Sequence, residues 1–262
     1  MKVKILNYNI LHGFHQTVAP FLFEKERLEK AKKIIAAENP DILVLTEAAY
    51  GGDNLFQIFV DYKKEFNFKY GFFGKWGNYE WGNMILSKRP LIAEIFQFGE
   101  RTGIKSRVRL GKKSLEIIVI HPSAESNFSE EVKDLEKELE KVKGSAIVSG
   151  DLNSISKRDS YDFKRLIKGF KAITNNPKLV IKRLKNQKII STLKKFGFYD
   201  TLKESEVTST IPTSRYRVGA TDIRIDYIFA SREIKTIDSG VIKNELTEEA
   251  SDHYPIFSVI EI

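Results

Sequence analysis

Acidic and amide side chains stand where apolar segments of this sequence end. The segment IVSGDLNS (147–154) runs from apolar residues into Asp151 and Asn153. Because residues two apart on a strand share a face, this spacing predicts that both side chains point to one place. Other apolar segments carry similar residues, and the strand-end candidates are Asn9, Glu47, His121, Asp151, Asn153, Asp226, Asp252 and His253.

The types of these residues narrow the possible chemistry. A carboxylate beside a strand core costs free energy unless it is paired, hydrogen-bonded or bound to a metal ion. Any one of the candidates could be structural, but their concentration at strand ends indicates a shared site. Carboxylate and amide oxygens suit hard cations such as Mg²⁺ or Mn²⁺. The sequence lacks the spacings of a zinc protease, a serine hydrolase elbow, a Walker loop and a dinucleotide-binding loop.

Length and composition limit the class of protein. The chain has 262 residues, and we expect one domain over 1–262. It has no cysteine, which excludes disulfides, thiolate nucleophiles and cysteine-bound zinc, and which fits a reducing compartment. The sequence has neither a signal-peptide pattern nor the roughly 18 apolar residues of a transmembrane helix. We therefore expect a cytoplasmic protein, and we expect it to be a monomer.

Positive charge is concentrated in one segment. Residues 157–195 hold thirteen lysines and arginines against two aspartates, so this segment alone has a charge of +11. The whole chain has a net charge of +8, so the rest of the chain carries −3. Such a segment is either a set of solvated helix faces or a binding surface for a polyanion. On the second interpretation the substrate-binding candidates in this segment are Lys182, Arg183, Lys185 and Lys188.

Two stretches of the chain repeat one pattern, a helix followed by an apolar strand that ends on an acid. The helices are predicted at 22–38 and 129–143, and the strands after them at 41–47 and 146–151. Residues 157–206 are predicted to be helical, and further strands are predicted at 2–10, 83–88, 91–98, 106–110, 114–121, 223–231 and 254–261. This mixture predicts an α/β sandwich whose sheets lie beneath helices.

Seven motifs in this order resemble the signatures of the endonuclease/exonuclease/phosphatase superfamily, which has the deoxyribonuclease I-like fold. They extend from residue 7 to residue 256, and they are NYNILHG, DILVLTE, GNMILSKRP, VIHP, SGDLNS, RIDYIF and SDHYPI. The resemblance implies a four-layer α/β/β/α sandwich of two packed sheets flanked by helices. It also implies a phosphoesterase that depends on a divalent metal ion, Mg²⁺ or Mn²⁺.

The resemblance further implies a role for each candidate. Glu47 would be the main metal ligand, with Asn9 and Asp252 nearby, and Asp226 and His253 would form a hydrogen-bonded pair. Asp151 would position or activate the water, or protonate the leaving oxygen. Asn153 and His121 would contact the scissile phosphate. Separately, Asn83 in GNMILSK is a substrate-binding candidate near the phosphate.

The substrate is less sharply defined by the sequence. His121 stands where the abasic-site endonucleases of the superfamily have tyrosine, so that branch is disfavoured. The basic segment favours a nuclease acting on DNA or RNA. The alternatives are a phosphatase or phosphodiesterase acting on an inositol phosphate or an anionic lipid, and a non-catalytic phosphate-binding module.

A glycine- and aromatic-rich segment, GKWGNYEWGN (74–83), has two interpretations. Its Trp76 and Trp81 either pack around a turn, which is the commoner role of such a loop, or stack on a base or sugar of the substrate. His12 and His15 follow the first strand and are interpreted as loop residues rather than catalysts.

Overall fold

The apolar strands form two six-stranded sheets, which pack face to face in a computed structural model of the protein. The structure describes residues 1–49, 60–77, 79–126, 128–204 and 208–262. Strand alternation builds the layers, since Val3 and Ile5 enter the core between the sheets while Leu6 and Tyr8 pack beneath a helix on the outside.

The first sheet is built from both ends of the chain. Its strands are β1 (Lys2–Asn9), β2 (Ile42–Ala49), β3 (Tyr70–Lys75), β4 (Trp81–Ser87), β11 (Lys235–Val241) and β12 (Ile256–Glu261). They lie in the order β11-β12-β1-β2-β4-β3. β1 and β2 are parallel, and the other neighbours are antiparallel.

The second sheet is built from the stretch of chain between β4 and β11. Its strands are β5 (Leu91–Phe98), β6 (Arg101–Leu110), β7 (Lys113–Val119), β8 (Ala146–Asp151), β9 (Phe198–Asp200) and β10 (Asp226–Ser231). They lie in the order β5-β6-β7-β8-β10-β9, and β7 and β8 form the parallel pair. The chain therefore passes from the first sheet to the second after β4 and returns after β10.

Helices cover the outer faces of both sheets. The α-helical segments are α1 (Leu11–Phe14), α2 (Lys25–Glu38), α3 (Tyr62–Glu65), α4 (Ser129–Leu139), α5 (Phe163–Phe170), α6 (Pro177–Leu184), α7 (Lys188–Lys195) and α8 (Thr247–Ala250), and Ser214–Tyr216 is a 3₁₀ helix. α2 packs on the first sheet, and α4 and α7 pack on the second. Among the described segments, no helix is long and apolar enough to cross a membrane.

The expected four-layer sandwich is confirmed, and so is the repeated pattern. It corresponds to two strand–helix–strand units, β1–α2–β2 and β7–α4–β8, each with parallel strands. The strands β3, β9 and β11 were not predicted. β9 lies inside 157–206, so the helical prediction for that segment is wrong at 198–200. β9 has only three residues, and a bulge at Thr236–Asp238 interrupts β11, so neither shows a clear alternation.

Candidate active site

A bulge in β2 aims the carboxylate of Glu47. Leu45 pairs with Met84 and Ala48 with Gly82, so Thr46 and Glu47 together oppose a single residue of β4. Glu47 has φ +57, which is rare for a residue with a side chain. Bulges re-aim side chains next to active sites, and this one sets Glu47 apart from the buried residues before it.

The residue opposite the bulge is Asn83. It is fully buried, and its Nδ2 donates to the carbonyl of Thr102 at 3.1 Å. Its Oδ1 is buried with no hydrogen-bond partner among the described residues. The structure thus places Asn83 beside Glu47, as a buried side chain with a free acceptor.

A left-handed turn next to β1 supports Glu47. Leu11, His12, Gly13 and Phe14 have φ between +46 and +68. The backbone N–H of His12 donates to Glu47 Oε2 at 3.1 Å. A Cβ on Gly13 would lie 2.4 Å from Ala49 Cβ, so the turn packs against β2 more closely than any other residue would allow.

The fully buried Arg27 of α2 holds this turn in place, and sequence reasoning did not find it. Its Nη2 donates to the carbonyls of Ile10 (2.7 Å) and Leu11 (3.0 Å). Its Nη1 donates to His15 O at 3.1 Å, and its Nε donates to Ala250 O at 2.9 Å. Arg27 therefore fixes the loop that supports Glu47 and the chain just before Asp252. In the sequence it is one basic residue in a charged helix, so no pattern singled it out.

The second sheet contributes two facing aspartates. Asp151 ends β8, Asp226 begins β10, and the two are register partners. Asn153 does not share a strand face with Asp151, because β8 stops at Asp151. It lies in a turn with φ +45, where its N–H donates to Asp151 Oδ1 at 2.8 Å and its Nδ2 donates to Pro122 O at 3.0 Å. The prediction that the two side chains share a strand face is therefore wrong, and it is the backbone of Asn153 that contacts the Asp151 carboxylate.

Asn9, at the end of β1, connects the two sheets. Its Nδ2 lies 3.1 Å from Glu47 Oε1 and 3.2 Å from Asp151 Oδ2. Its Oδ1 accepts the N–H of Leu11 at 3.0 Å. In this orientation the amide N–H₂ group faces both carboxylates, and the amide oxygen is occupied by the backbone.

Asp226 and His253 form a buried hydrogen-bonded pair. Nδ1 of His253 lies 2.8 Å from Asp226 Oδ2, and its Nε2 lies 3.7 Å from Asp151 Oδ2 and 3.9 Å from Asp252 Oδ1. Burial opposes the imidazolium charge, but these carboxylates, with Asp226 foremost, outweigh burial and raise the pKa of His253 well above its usual value. The contacts with these carboxylates thus favour the imidazolium form of His253.

The pKa values of the neighbouring acids are raised. Burial, followed by the charge of Asp226, raises the pKa of Asp151 to about 7. Burial also raises the pKa of Asp252, and the charge of Glu47 adds to this effect. A carboxyl group with a pKa close to neutrality can both accept and donate a proton at physiological pH.

His121 is also buried beside Asp151. Its Nε2 lies 3.5 Å from Asp151 Oδ2. Burial, reinforced by Arg101 and His253, lowers the pKa of His121 well below its usual value. Its ring meets the buried Trp76 edge-on at 4.8 Å. Trp76 therefore has a packing role, in which it supports the ring of His121.

Arg101 is a second residue that the sequence did not reveal. Its guanidinium group stacks on Trp76 at 4.2 Å, and its Nη1 donates to the carbonyls of His121 and Pro122, both at 3.2 Å. Burial lowers the pKa of Arg101, and the charges of Glu47 and Asp151 oppose this effect. Arg101 thus adds positive charge to the site, and a guanidinium group can bind the oxygens of a phosphate.

The basic residues lie beside this cluster rather than in it. We call Lys182, Arg183, Lys185 and Lys188 the basic strip. The loop that follows Asn153 contacts this part of the chain, since Ile155 N donates to Leu184 O and Gln187 Nε2 donates to Ile155 O, both at 2.8 Å. The segment that carries the strip thus packs against the loop after Asn153, while Lys185 Nζ lies over the ring of Phe163 and Lys188 Nζ donates to Ser129 Oγ at 2.8 Å.

The donor set fits a hard divalent cation. Carboxylates of Glu47, Asp151 and Asp252 meet at the rim, and the described residues offer no thiolate. Donor atoms of Asp151, Asp226 and His253 also lie within 4.8 Å of one another. The short hydrogen bond between His253 and Asp226 already occupies that group, which leaves the Glu47 side as the better place for an ion.

This fold and rim define a class of two-sheet α/β phosphoesterases, and comparison with known proteins agrees with it. Residues 6–253 match the model of the endonuclease/exonuclease/phosphatase family, and the chain belongs to that family. Among curated proteins, none matches the sequence.

Solved structures share the fold at low sequence identity. An endonuclease/exonuclease/phosphatase from Beutenbergia cavernae DSM 12333 is 18% identical, with a TM-score of 0.68 over 100% of this chain and 72% of that chain. TDP2 of D. rerio, complexed with a single strand DNA product, is 16% identical, with a TM-score of 0.65 over 100% and 99%. ANGEL2, a 2′,3′-cyclic phosphatase in complex with adenosine-2′,3′-vanadate, is 15% identical, with a TM-score of 0.66 over 99% and 95%.

Proposed function

We propose that the protein is a divalent-metal-dependent phosphodiesterase that hydrolyses nucleic acid. One observation carries the proposal, namely the bridge that Asn9 makes between Glu47 of one sheet and Asp151 of the other, opposite the Asp226–His253 pair. Two acids held this close, next to an imidazolium ion, form a site for an anion together with a cation. A phosphodiester with its metal ion has that composition.

We assign the metal ion, Mg²⁺ or Mn²⁺, to Glu47 and Asp252. When bound, it would polarise the phosphoryl group and neutralise part of its charge. Asn9 holds the carboxylates of Glu47 and Asp151 in place through its N–H₂ group. Its amide oxygen is occupied by the N–H of Leu11.

The remaining side chains act on the phosphate and the water. Cationic His253, oriented by Asp226, donates a hydrogen bond to a non-bridging oxygen, where charge develops in the transition state. Asp151 takes a proton from the attacking water or gives one to the leaving oxygen, and its pKa of about 7 suits either step. Neutral His121 and the amide of Asn153 donate to the phosphate without adding a repelling charge.

Two observations support a nucleic acid substrate. The basic strip lies in the segment that packs against the loop after Asn153, where it can follow a phosphate backbone away from the reacting bond. The similar structures include one with a single strand DNA product and one with an adenosine vanadate. A non-catalytic module is disfavoured because the position of each predicted catalytic group holds a competent residue type.

Hydrolysis assays with DNA, RNA and a phosphoinositide panel, each in Mg²⁺, Mn²⁺ or EDTA, test the proposal. We expect hydrolysis of nucleic acid in either metal ion, none in EDTA, and a loss of orders of magnitude in Glu47→Gln with the fold intact. Glu94→Gln, on the exposed face of β5, is the control and should keep full activity. Full activity in EDTA or in Glu47→Gln would refute the metal assignment, and turnover of phosphoinositides alone would replace the substrate class.

A further inference from the structure

A cavity of about 580 Å³ adjoins the start of α5, and its walls come from residues 159–166 and 208–222. Thr210, next to the second wall, accepts the backbone N–H of Asp226 at 3.3 Å through its Oγ1. Lys185 of the basic strip lies over the ring of the first residue of α5, with 3.5 Å between its Nζ and the ring centre. The cavity is thus close both to the basic strip and to the reaction centre.

Two hydroxyl groups in this cavity are oriented by a lysine. Lys243 Nζ donates to Thr208 Oγ1 at 2.9 Å and to Ser209 Oγ at 3.0 Å. An ammonium group has only hydrogens to offer, so the hydrogen of each hydroxyl must point away from it. Neither hydroxyl donates to another described residue. Both side chains line the cavity, where their hydrogens can reach an acceptor.

The charges around the cavity favour an anion as that acceptor. Of its three aspartates, Asp159 accepts two hydrogen bonds from Arg224, each 2.9 Å long. Asp222 accepts one from Arg217 at 2.6 Å, and the third aspartate caps α5. Arg165 also lines the cavity, and its exposed guanidinium group has no partner in the part of the chain that the structure describes. With the lysine behind the hydroxyls it gives the cavity a surplus of positive charge.

We propose that this cavity binds a phosphate group of the substrate strand other than the one that is cleaved. The inference rests on the proposed function, and it specifies the substrate as a strand with at least two phosphates. Arg165 and the hydroxyls of Thr208 and Ser209 donate to the phosphate oxygens, and the planar guanidinium group can bind two of them at once. Lys243 is a positioning residue, because it directs both hydroxyl hydrogens into the cavity.

The test compares two substrates in Mg²⁺. Bis(p-nitrophenyl) phosphate has a single phosphate, whereas a short single strand of thymidine nucleotides has several. Loss of one charge-assisted hydrogen bond corresponds to a factor of about 10 or more, so Arg165→Gln should lower kcat/KM about 10-fold more for the strand than for the small diester. The loss should lie in KM, since the residue binds the strand away from the reacting bond. Arg165→Lys should keep part of the preference for the strand, because it retains the charge.

Lys168→Gln is the matched control, because Lys168 is an exposed cation on the same helix that does not line the cavity. It should leave the ratio of the two kcat/KM values unchanged. Titration with inorganic phosphate in EDTA, followed through the side-chain Nε–H signals of ¹⁵N-arginine by NMR, gives a readout that does not depend on turnover. Phosphate should shift the signal that is missing from Arg165→Gln. Ser209→Ala should weaken this binding by about 2- to 10-fold, the value of one neutral hydrogen bond.

The outcomes separate the two proposals. Equal losses in Arg165→Gln and Lys168→Gln, or equal losses on both substrates in Arg165→Gln, would overturn the phosphate site and leave the nuclease standing. If the wild type does not cleave the strand, the proposed function fails, and the NMR titration decides the inference. A shift of the Arg165 signal that Ser209→Ala weakens would still support the phosphate site, and the absence of that shift would overturn it.

Discussion

Replacing Asp151 with asparagine should stabilise the protein at alkaline pH while abolishing its activity. Asp151 is 2% exposed and stands in register with Asp226, so its negative charge is both desolvated and repelled. Asn153 N–H can still donate to the Oδ1 of an asparagine at this position. The substitution therefore removes an unfavourable charge and keeps the contact with Asn153, although it loses the hydrogen bond from Asn9 Nδ2 at every pH because an N–H₂ group replaces Oδ2. Such a trade of stability against function is common at active sites.

The size and sign of the effect follow from the pKa of Asp151. Burial and Asp226 raise this pKa from the usual 3.8 to about 7. The folded state therefore binds the proton more tightly than the unfolded chain. The stabilisation that this tighter binding gives below pH 4 is lost as the pH rises to about 7. Each tenfold change in proton affinity corresponds to about 1.4 kcal/mol, so the wild type loses about 3 kcal/mol between pH 5 and pH 8 that Asp151→Asn does not lose.

Thermal unfolding in EDTA measures this difference. At about 2–4 °C per kcal/mol for a chain of this size, the advantage in Tm of Asp151→Asn over the wild type should grow by about 6–12 °C from pH 5 to pH 8. Asp61→Asn is the control, because Asp61 is exposed at the N-terminus of α3 and asparagine caps a helix equally well. Parallel curves of Tm against pH for wild type and Asp151→Asn would refute the reasoning.

Three further predictions concern the hydrogen-bonded pair, the basic strip and the left-handed turn. His253→Ala and Asp226→Asn should each lower kcat/KM severely, and the double variant should be little worse, because the two residues act as a unit; losses that multiply would contradict this. Replacing the four residues of the basic strip with glutamine should flatten the plot of log binding constant against log salt concentration. The slope should fall by about 0.9 for each phosphate of duplex DNA that the strip neutralises. An unchanged slope would mean that the strip is only a solvated surface. In urea titrations Gly13→Ala should lower the free energy of unfolding by more than about 3 kcal/mol. Gly111 has φ +68 and no heavy atom within 4 Å of a new Cβ, so Gly111→Ala should lower it by about 1–2 kcal/mol. Equal losses would contradict the close packing of Gly13.

The sequence predicted the layers of the fold and the position of the rim, because both depend on local patterns. Buried strands appear in the sequence as apolar runs, and the helices between parallel strands have a clear apolar stripe. The polar residues that follow the apolar runs are therefore easy to identify. The two strand–helix–strand units place Asn9 and Asp151 at strand ends by topology alone.

The sequence could not predict how the backbone bends inside the rim. The bulge at Glu47, the left-handed turn at His12 and the turn at Asn153 are stabilised by contacts from distant parts of the chain. Arg27 and Arg101 were missed because their roles depend on carbonyl groups that approach them only in the folded protein. Periodicity reports which face of an element is buried, and it contains no information on such contacts.

The division of the chain between the two sheets has a consequence for assembly. Glu47, Asp252 and His253 belong to the outer portions of the chain, whereas His121, Asp151 and Asp226 belong to the stretch 91–231 that forms the second sheet. Each portion alone holds half of the proposed reaction centre, so neither is an enzyme until the two faces dock. Activity thus reports on the docking of the sheets, as in a split reporter, and it should be lost on partial separation before either sheet unfolds.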